Sequence, residues 1–132
     1  MKSAASGAAQ EIDEERLALG DLSIRRDWGW APDYVEAMWA MTQLSVPDDF
    51  VTASGTSHSI QEFVAAAFAE GGRDWREHVD YDPALKRPSD IAASIGDPAK
   101  AQRILGWRAK VQFRDIVGRM VRSEREGPAA VS

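Results

Sequence analysis

Apolar residues in this chain come in short blocks of two kinds, helical stripes at i, i+3, i+4 spacing and β-rich runs of a few residues, with Gly or Pro at many of the block ends. That alternation predicts an α/β chain of short strands and amphipathic helices. No apolar run approaches the roughly 20 residues needed to span a bilayer. At 132 residues the chain is one domain at most, long enough to bury a core without metal or covalent staples. The absence of cysteine excludes a disulfide framework, a thiolate zinc site and a cysteine nucleophile. With 21 acidic and 16 basic side chains the net charge is −5, so no general affinity for nucleic acid or anionic membranes is expected. The opening MKSAASGAAQEIDEE lacks the apolar stretch of a secretory signal, and the expected address is the cytoplasm.

The order of elements follows from the punctuation. Residues 1–15 are small and polar and predict a weakly ordered segment; 16–126 form the folded lobe, and 127–132 a disordered tail. Arg16–Gly20 and Ser23–Trp28 read as short extended pieces, fitting strand or helix equally well. A helix is predicted to start near Ala31 with Pro32 in its first turn, burying Tyr34, Val35, Met38, Trp39 and Thr42, and to end before Pro47. Asp49–Ser54 (DFVTAS) reads as a buried strand. Ser59 and Glu62 make a capping box for a helix carrying Ile60, Phe63, Val64, Ala67 and Phe68, stopped at Gly71 and Gly72. Trp75, Val79 and Tyr81 alternate with polar residues as in a half-exposed strand. Asp97 and Pro98 open a helix that buries Ala101, Ile104 and Leu105 before Gly106, and Phe113, Ile116, Val117, Met120 and Val121 define the last helix. Trp28, Trp39 and Trp107 are read as core by size and spacing.

Self-contained nucleotide chemistry would require a Gly-rich phosphate loop, and neither G-x-G-x-x-G nor G-x-x-x-x-G-K-[ST] occurs. G-x-S-x-G and H-E-x-x-H are also missing, and His58 and His78 stand too far apart for a ligand pair, so neither is given a role. Two basic stretches remain, Arg25-Arg26-Asp27-Trp28-Gly29 and Lys86-Arg87-Pro88-Ser89-Asp90. A guanidinium matches a phosphate, and a nearby carboxylate can accept from ribose hydroxyls, so together they could hold a nucleoside diphosphate. Taken singly, Arg26 beside Asp27 reads as a surface ion pair and R-P-x-D as a turn.

Four strings, taken in order, add a resemblance. RLALGDLSIRRDWGWAPDYVEAMW, DFVTASGTSHSIQEFV, KRPSDIAASIGDPAKAQRILGW and FRDIVGRMV resemble the C-terminal third of the GDP-mannose 4,6-dehydratases, extended short-chain dehydrogenase/reductases, over nearly all of Arg16–Arg122. The resemblance implies a substrate-binding lobe over 16–126 with the Rossmann domain absent. It places Arg26 and Arg87 on the substrate diphosphate and Asp90, where the family also uses Glu, on a ribose hydroxyl. Trp30 stands where the family commonly has His. NADP is the cofactor implied for the full-length family, and none is expected to bind this chain alone. The full enzyme would oxidise C4 of the mannose with NADP, eliminate water across C5 and C6 and return the hydride to C6. The implied partners are GDP-mannose or GDP, held weakly, and a Rossmann-domain chain or a second copy packing on an exposed apolar surface. Neither nucleic acid nor a membrane is expected. The chain is thus read as the GDP-sugar-binding portion of such an enzyme; the alternative is a non-catalytic nucleotide-sugar-binding or interaction module of the same descent. With no phosphate loop and no Tyr-x-x-x-Lys relay among its residues, the chain by itself is expected to convert no GDP-mannose and to show no tight NADP binding. A product assay without any partner protein checks this, and turnover above a blank would refute it.

Overall fold

The computed structural model describes residues 16–127. The segment 1–15 and all but Gly127 of the tail lie outside the described residues. The chain divides into two compact units. The first holds the residues through Ile24, Ser59–Ala92 and those from Val117 on; the second holds Arg25–His58 and Ala93–Ile116.

In the first unit, β1 (Leu17–Leu19) pairs in parallel with β4 (Val79–Tyr81), with Leu17 opposite Val79 and Leu19 opposite Tyr81. The ladder is extended at both ends, where the Leu17 N–H donates to the His78 carbonyl at 2.7 Å and the Asp82 N–H to the Leu19 carbonyl at 2.8 Å. Arg16 fastens the same edge, its Nε 2.8 Å from an Asp80 carboxylate oxygen and its Nη2 donating to the Val79 carbonyl at 3.1 Å. Helix α2 (Ile60–Glu70) starts with the expected capping box: the Ser59 Oγ accepts from the Glu62 N–H at 3.1 Å, and a Glu62 carboxylate oxygen accepts from the Ser59 N–H at 2.6 Å. Its first turn is also tied to the segment Leu22–Ile24, the Ile60 and Gln61 N–H groups donating at 2.9 Å to the Ile24 and Leu22 carbonyls respectively. Phe63, Val64, Ala67 and Phe68 are buried at helical spacing, as are Val79 and, from α4 (Phe113–Glu126), Val117 and Val121. The His78 ring stacks on Phe68 at 5.4 Å.

The strand expected over Trp75–Tyr81 is shorter than its pattern suggests. Trp75–Glu77 form a 3-10 turn, because the Asp74 carboxylate accepts the Arg76 N–H at 3.0 Å and offers the backbone a local bond in place of a ladder. Only Val79–Tyr81 meet the three residues of β1, with Val79 buried and Tyr81 exposed.

In the second unit, β2 (Arg25–Arg26) pairs with β3, which runs His58–Ser59 and begins in the same unit, and Arg25 also bridges in parallel to Ala93. Helix α1 (Ala31–Thr42) and α3 (Ala99–Leu105) meet through two fully buried alanines, Ala37 and Ala101, clustered with Trp107 and flanked by Tyr34, Met41, Phe50 and Leu105. The Trp107 indole N–H donates to the Asp33 carbonyl at 2.7 Å, and the buried Asp33 carboxylate accepts the Lys110 and Val111 N–H groups at 2.9 and 3.0 Å. The Asp97 carboxylate caps α3 by accepting the Ala99 N–H at 3.0 Å, and Gly106 ends it at φ +65°, a left-handed conformation suited to glycine.

Three expectations fail here. Val35, Met38, Trp39 and Thr42 are not the buried stripe of α1: the first three stand 60%, 60% and 67% exposed and Thr42 is exposed as well, so Trp39 is not core, whereas Trp107 is and Trp28 is half-buried. The face that does bury carries Ala37, whose small side chain lets α3 approach, together with Tyr34 and Met41. On α3, Ala101 is buried while Ile104 is exposed. Asp49–Ser54 forms no strand: among the described residues no ladder pairs with it, although Gly96 packs closely against Ala53.

The capping box gives a direct check on α2. Ser59→Ala should cost about 1 kcal/mol of stability and Ser59→Gly only a few tenths, read from urea denaturation midpoints at constant slope. Equal midpoints for parent and Ser59→Ala would remove the cap from the account.

Candidate functional site

The basic stretch at β2 divides its work between two arginines. The Arg25 guanidinium is held at Ser57, Nε donating to the Ser57 hydroxyl at 3.2 Å and Nη2 to the Ser57 carbonyl at 2.8 Å. Arg26 is half-buried, and its Nη1 donates to the Arg25 carbonyl at 2.8 Å. The next residue, Asp27, is the organiser of this region. One of its carboxylate oxygens accepts from the Ser54 N–H at 2.9 Å and the Ser54 hydroxyl at 2.7 Å; the other accepts from the Gly55 N–H at 2.9 Å and the Gly96 N–H at 3.3 Å. Two chain stretches, 54–55 and 96, are thereby fixed against the end of β2. Gly96 has no room for a side chain, as a Cβ there would stand 2.3 Å from the Ala53 Cβ.

The rest of the R-R-D-W-G string is structural. The Trp28 indole donates to the His58 carbonyl at 3.2 Å, and the His58 ring stacks on Phe113 at 3.9 Å, giving this histidine a packing role. Gly29 lies against the Tyr34 hydroxyl, which occupies the place of any Cβ. Burial, and then the nearby Asp27 and Asp33 carboxylates, hold the Tyr34 phenol protonated beyond its ordinary range near 10.

Arg87 and Asp90 belong to the first unit. They flank a turn at Pro88–Ser89, as the R-P-x-D spacing predicts, and both are exposed. Arg87 makes no hydrogen bond or ion pair among the described residues, so its fork of donors is open to solvent. The structure therefore places Arg26 on β2 of the second unit and puts Arg87 and Asp90 on one turn of the first. Sequence reasoning passed over Asp27, treating it as the partner of Arg26. The available signal was the pair of glycines, in Ser54-Gly55 and Ile95-Gly96, that would let two backbones approach one carboxylate. Among the described residues no group of His, Asp and Glu could hold a metal ion, and no helix is long and apolar enough to cross a membrane.

The fold matches part of the fold of solved epimerase and dehydratase structures. It is similar to RMD from Pseudomonas aeruginosa complexed with NADPH, with a TM-score of 0.82 at 18% identity, covering 95% of this chain and 42% of that one. It is also similar to the UDP-glucose 4-epimerase of Thermotoga maritima with UDP-glucose, with a TM-score of 0.80 at 22% identity, covering 93% and 38%. Residues 2–120 match the family model of GDP-mannose 4,6 dehydratase, and the chain belongs to that family. It is 42% identical over 113 residues to GDP-mannose 4,6 dehydratase 1 of Arabidopsis thaliana and 38% identical over 129 residues to the Homo sapiens GDP-mannose 4,6 dehydratase. It spans about a third of the length of these relatives, 31% and 35%.

Because Asp27 satisfies four donors from two stretches, Asp27→Ala should lower stability by about 2–3 kcal/mol, and Asp27→Asn by less, since its carbonyl oxygen keeps part of the set. Thermal and urea unfolding check the order. An alanine variant as stable as the parent would show that the clamp contributes nothing.

Proposed function

We propose that this chain supplies the GDP-sugar-binding portion of a GDP-mannose 4,6-dehydratase, acting on GDP-mannose only together with the remainder of the family's fold. The observation that carries the reading is family membership over residues 2–120 with the two basic stretches retained inside the match. In this reading Arg26 and Arg87 each donate to the diphosphate, and Asp90 accepts from a ribose hydroxyl. The open guanidinium of Arg87, beside Asp90 on one turn, suits such a role. Asp27 is then a positioning residue, holding the loops around the strand from which Arg26 projects.

The P. aeruginosa RMD structure is complexed with NADPH, but these 132 residues contain no Gly-rich pyrophosphate loop and no Tyr-x-x-x-Lys pair. They do not fit a nicotinamide dinucleotide, and no hydride or proton step is assigned to them. A second reading, a non-catalytic nucleotide-sugar-binding module, rests on the same point. The two separate on whether adding the remainder of a family member gives turnover of GDP-mannose.

Both readings expect GDP to bind weakly, in roughly the millimolar range, because much of the gross interaction energy is offset by the cost of association. Arg87→Ala should weaken binding about tenfold, and Arg26→Ala similarly, given about 1.5–3 kcal/mol for a charge-assisted contact discounted for exposure. Raising the salt concentration should weaken binding further. Calorimetry in which Arg87→Ala binds GDP as tightly as the parent would end the role of Arg87.

A further inference from the structure

The chain bends away from β1 at Gly20, and there the lack of a side chain is a matter of space. The φ angle of Gly20 is not positive, so its backbone suits any L residue. A Cβ at this position would nevertheless stand 2.9 Å from the Leu85 carbonyl oxygen and 3.1 Å from the carbonyl carbon, main-chain atoms that no rotamer change moves aside. Leu85 closes the 3-10 turn Pro83–Leu85, and Arg87 follows two residues later. The bare Cα of Gly20 is thus the seat of the chain that enters the turn carrying Arg87 and Asp90.

Other contacts pin the same segment to the end of β1. The Asp82 N–H donates to the Leu19 carbonyl at 2.8 Å. The Asp82 carboxylate accepts the Ala84 N–H at 2.9 Å and caps the 3-10 turn, in which the Leu85 and Lys86 N–H groups donate to the Asp82 and Pro83 carbonyls at 3.1 and 3.2 Å. Next to Gly20, Asp21 accepts the Ser23 hydroxyl and N–H at 2.5 and 2.9 Å. These bonds, and to a smaller extent the Lys86 charge, hold the Asp21 carboxyl below the usual carboxylate range, so a fixed anion stands near Lys86. The tethers stop there: Arg87 and Ser89 make no hydrogen bond or ion pair among the described residues. With nothing ahead to hold it, the Arg87 guanidinium takes its place from the chain behind it.

We infer that Gly20 is a positioning residue for Arg87, acting through the capped 3-10 turn Pro83–Leu85. The inference rests on the reading above in which Arg87 donates to the diphosphate, and it adds the residue that aims that guanidinium. A side chain at position 20 pushes the Leu85 carbonyl, and with it the Leu85–Lys86 peptide, away from β1. The donors of Arg87 then miss the geometry that a charge-assisted bond needs.

The test uses the whole 132-residue chain with GDP as the probe. Gly20→Ala should displace the amide signals of Leu85, Lys86 and Arg87 in nitrogen–proton correlation spectra while the β1–β4 ladder keeps its hydrogen-exchange protection. It should weaken GDP binding by about fivefold, as the guanidinium leaves hydrogen-bond reach. In the Arg87→Ala background the same change should alter affinity by less than about twofold, because no guanidinium is left to misplace; a loss of fold alone would add in full. Asp82→Ala probes the same route without bulk at β1. It removes the cap, keeps the main-chain bond to Leu19, and should weaken GDP binding by about threefold, again only where Arg87 is present. If Gly20→Ala does not fold, Asp82→Ala decides alone. The inference is overturned by unmoved turn amides in Gly20→Ala, by Gly20 or Asp82 variants that bind GDP like the parent while Arg87→Ala binds weakly, or by losses that add to that of Arg87→Ala. Displaced turn amides with Arg87-independent binding sink only the diphosphate assignment of Arg87, whereas unmoved amides with Arg87-dependent binding sink only this inference.

Discussion

A single carboxylate sets the local geometry from which the second unit presents its basic strand. Asp27 gathers the N–H and hydroxyl of Ser54 and the N–H groups of Gly55 and Gly96, so that stretches 27 and 69 residues further along the chain end at one point. Backbone donors of this kind have no partner of their own in irregular chain, and leaving them unbonded in a half-buried place would be costly. Removing the acceptor therefore releases both loops together. Arg26 precedes this anchor directly, which makes its placement a consequence of the neighbouring acid as much as of the two-residue strand that carries it.

A second acid, the buried Asp33, works in the same way in the first turn of α1. Asp33 accepts from Lys110 and Val111 through its side chain and from Trp107 through its carbonyl, so the chain leaving α3 is bound to the first turn of α1. The pair explains how a unit with so little sheet keeps its loops in place. Its helices meet over Ala37 and Ala101, and polar contacts made by the two aspartates fix much of the irregular chain around them.

What the sequence disclosed was mostly local. Helix α1, α2, α3 and α4 could be read from Pro32, the Ser59–Glu62 box, Asp97 and the Phe113 to Val121 spacing, because caps and stripes are decided within a turn or two. The turn carrying Arg87 and Asp90 was legible for the same reason. Strands were not: Phe50–Ala53 has the composition of a strand and no ladder, and Trp75 was drawn into a turn by Asp74. The buried face of α1 was misjudged because large side chains were taken to mark the core, whereas Ala37 sets the closest approach. At the candidate site, the role of Asp27 is not legible in the sequence, since its partners lie far along the chain.

The parallel pairing of β1 with β4 bears on the order of events when the chain is made. Leu17 meets Val79 only after roughly sixty further residues have emerged, and closing so long a loop costs entropy before any ladder bond repays it. Helix α2, by contrast, carries its own start signal in Ser59 and Glu62 and can form as soon as it is synthesised. The strand nearest the beginning of the described chain thus waits through the synthesis of about sixty residues as open β-prone chain before its partner exists.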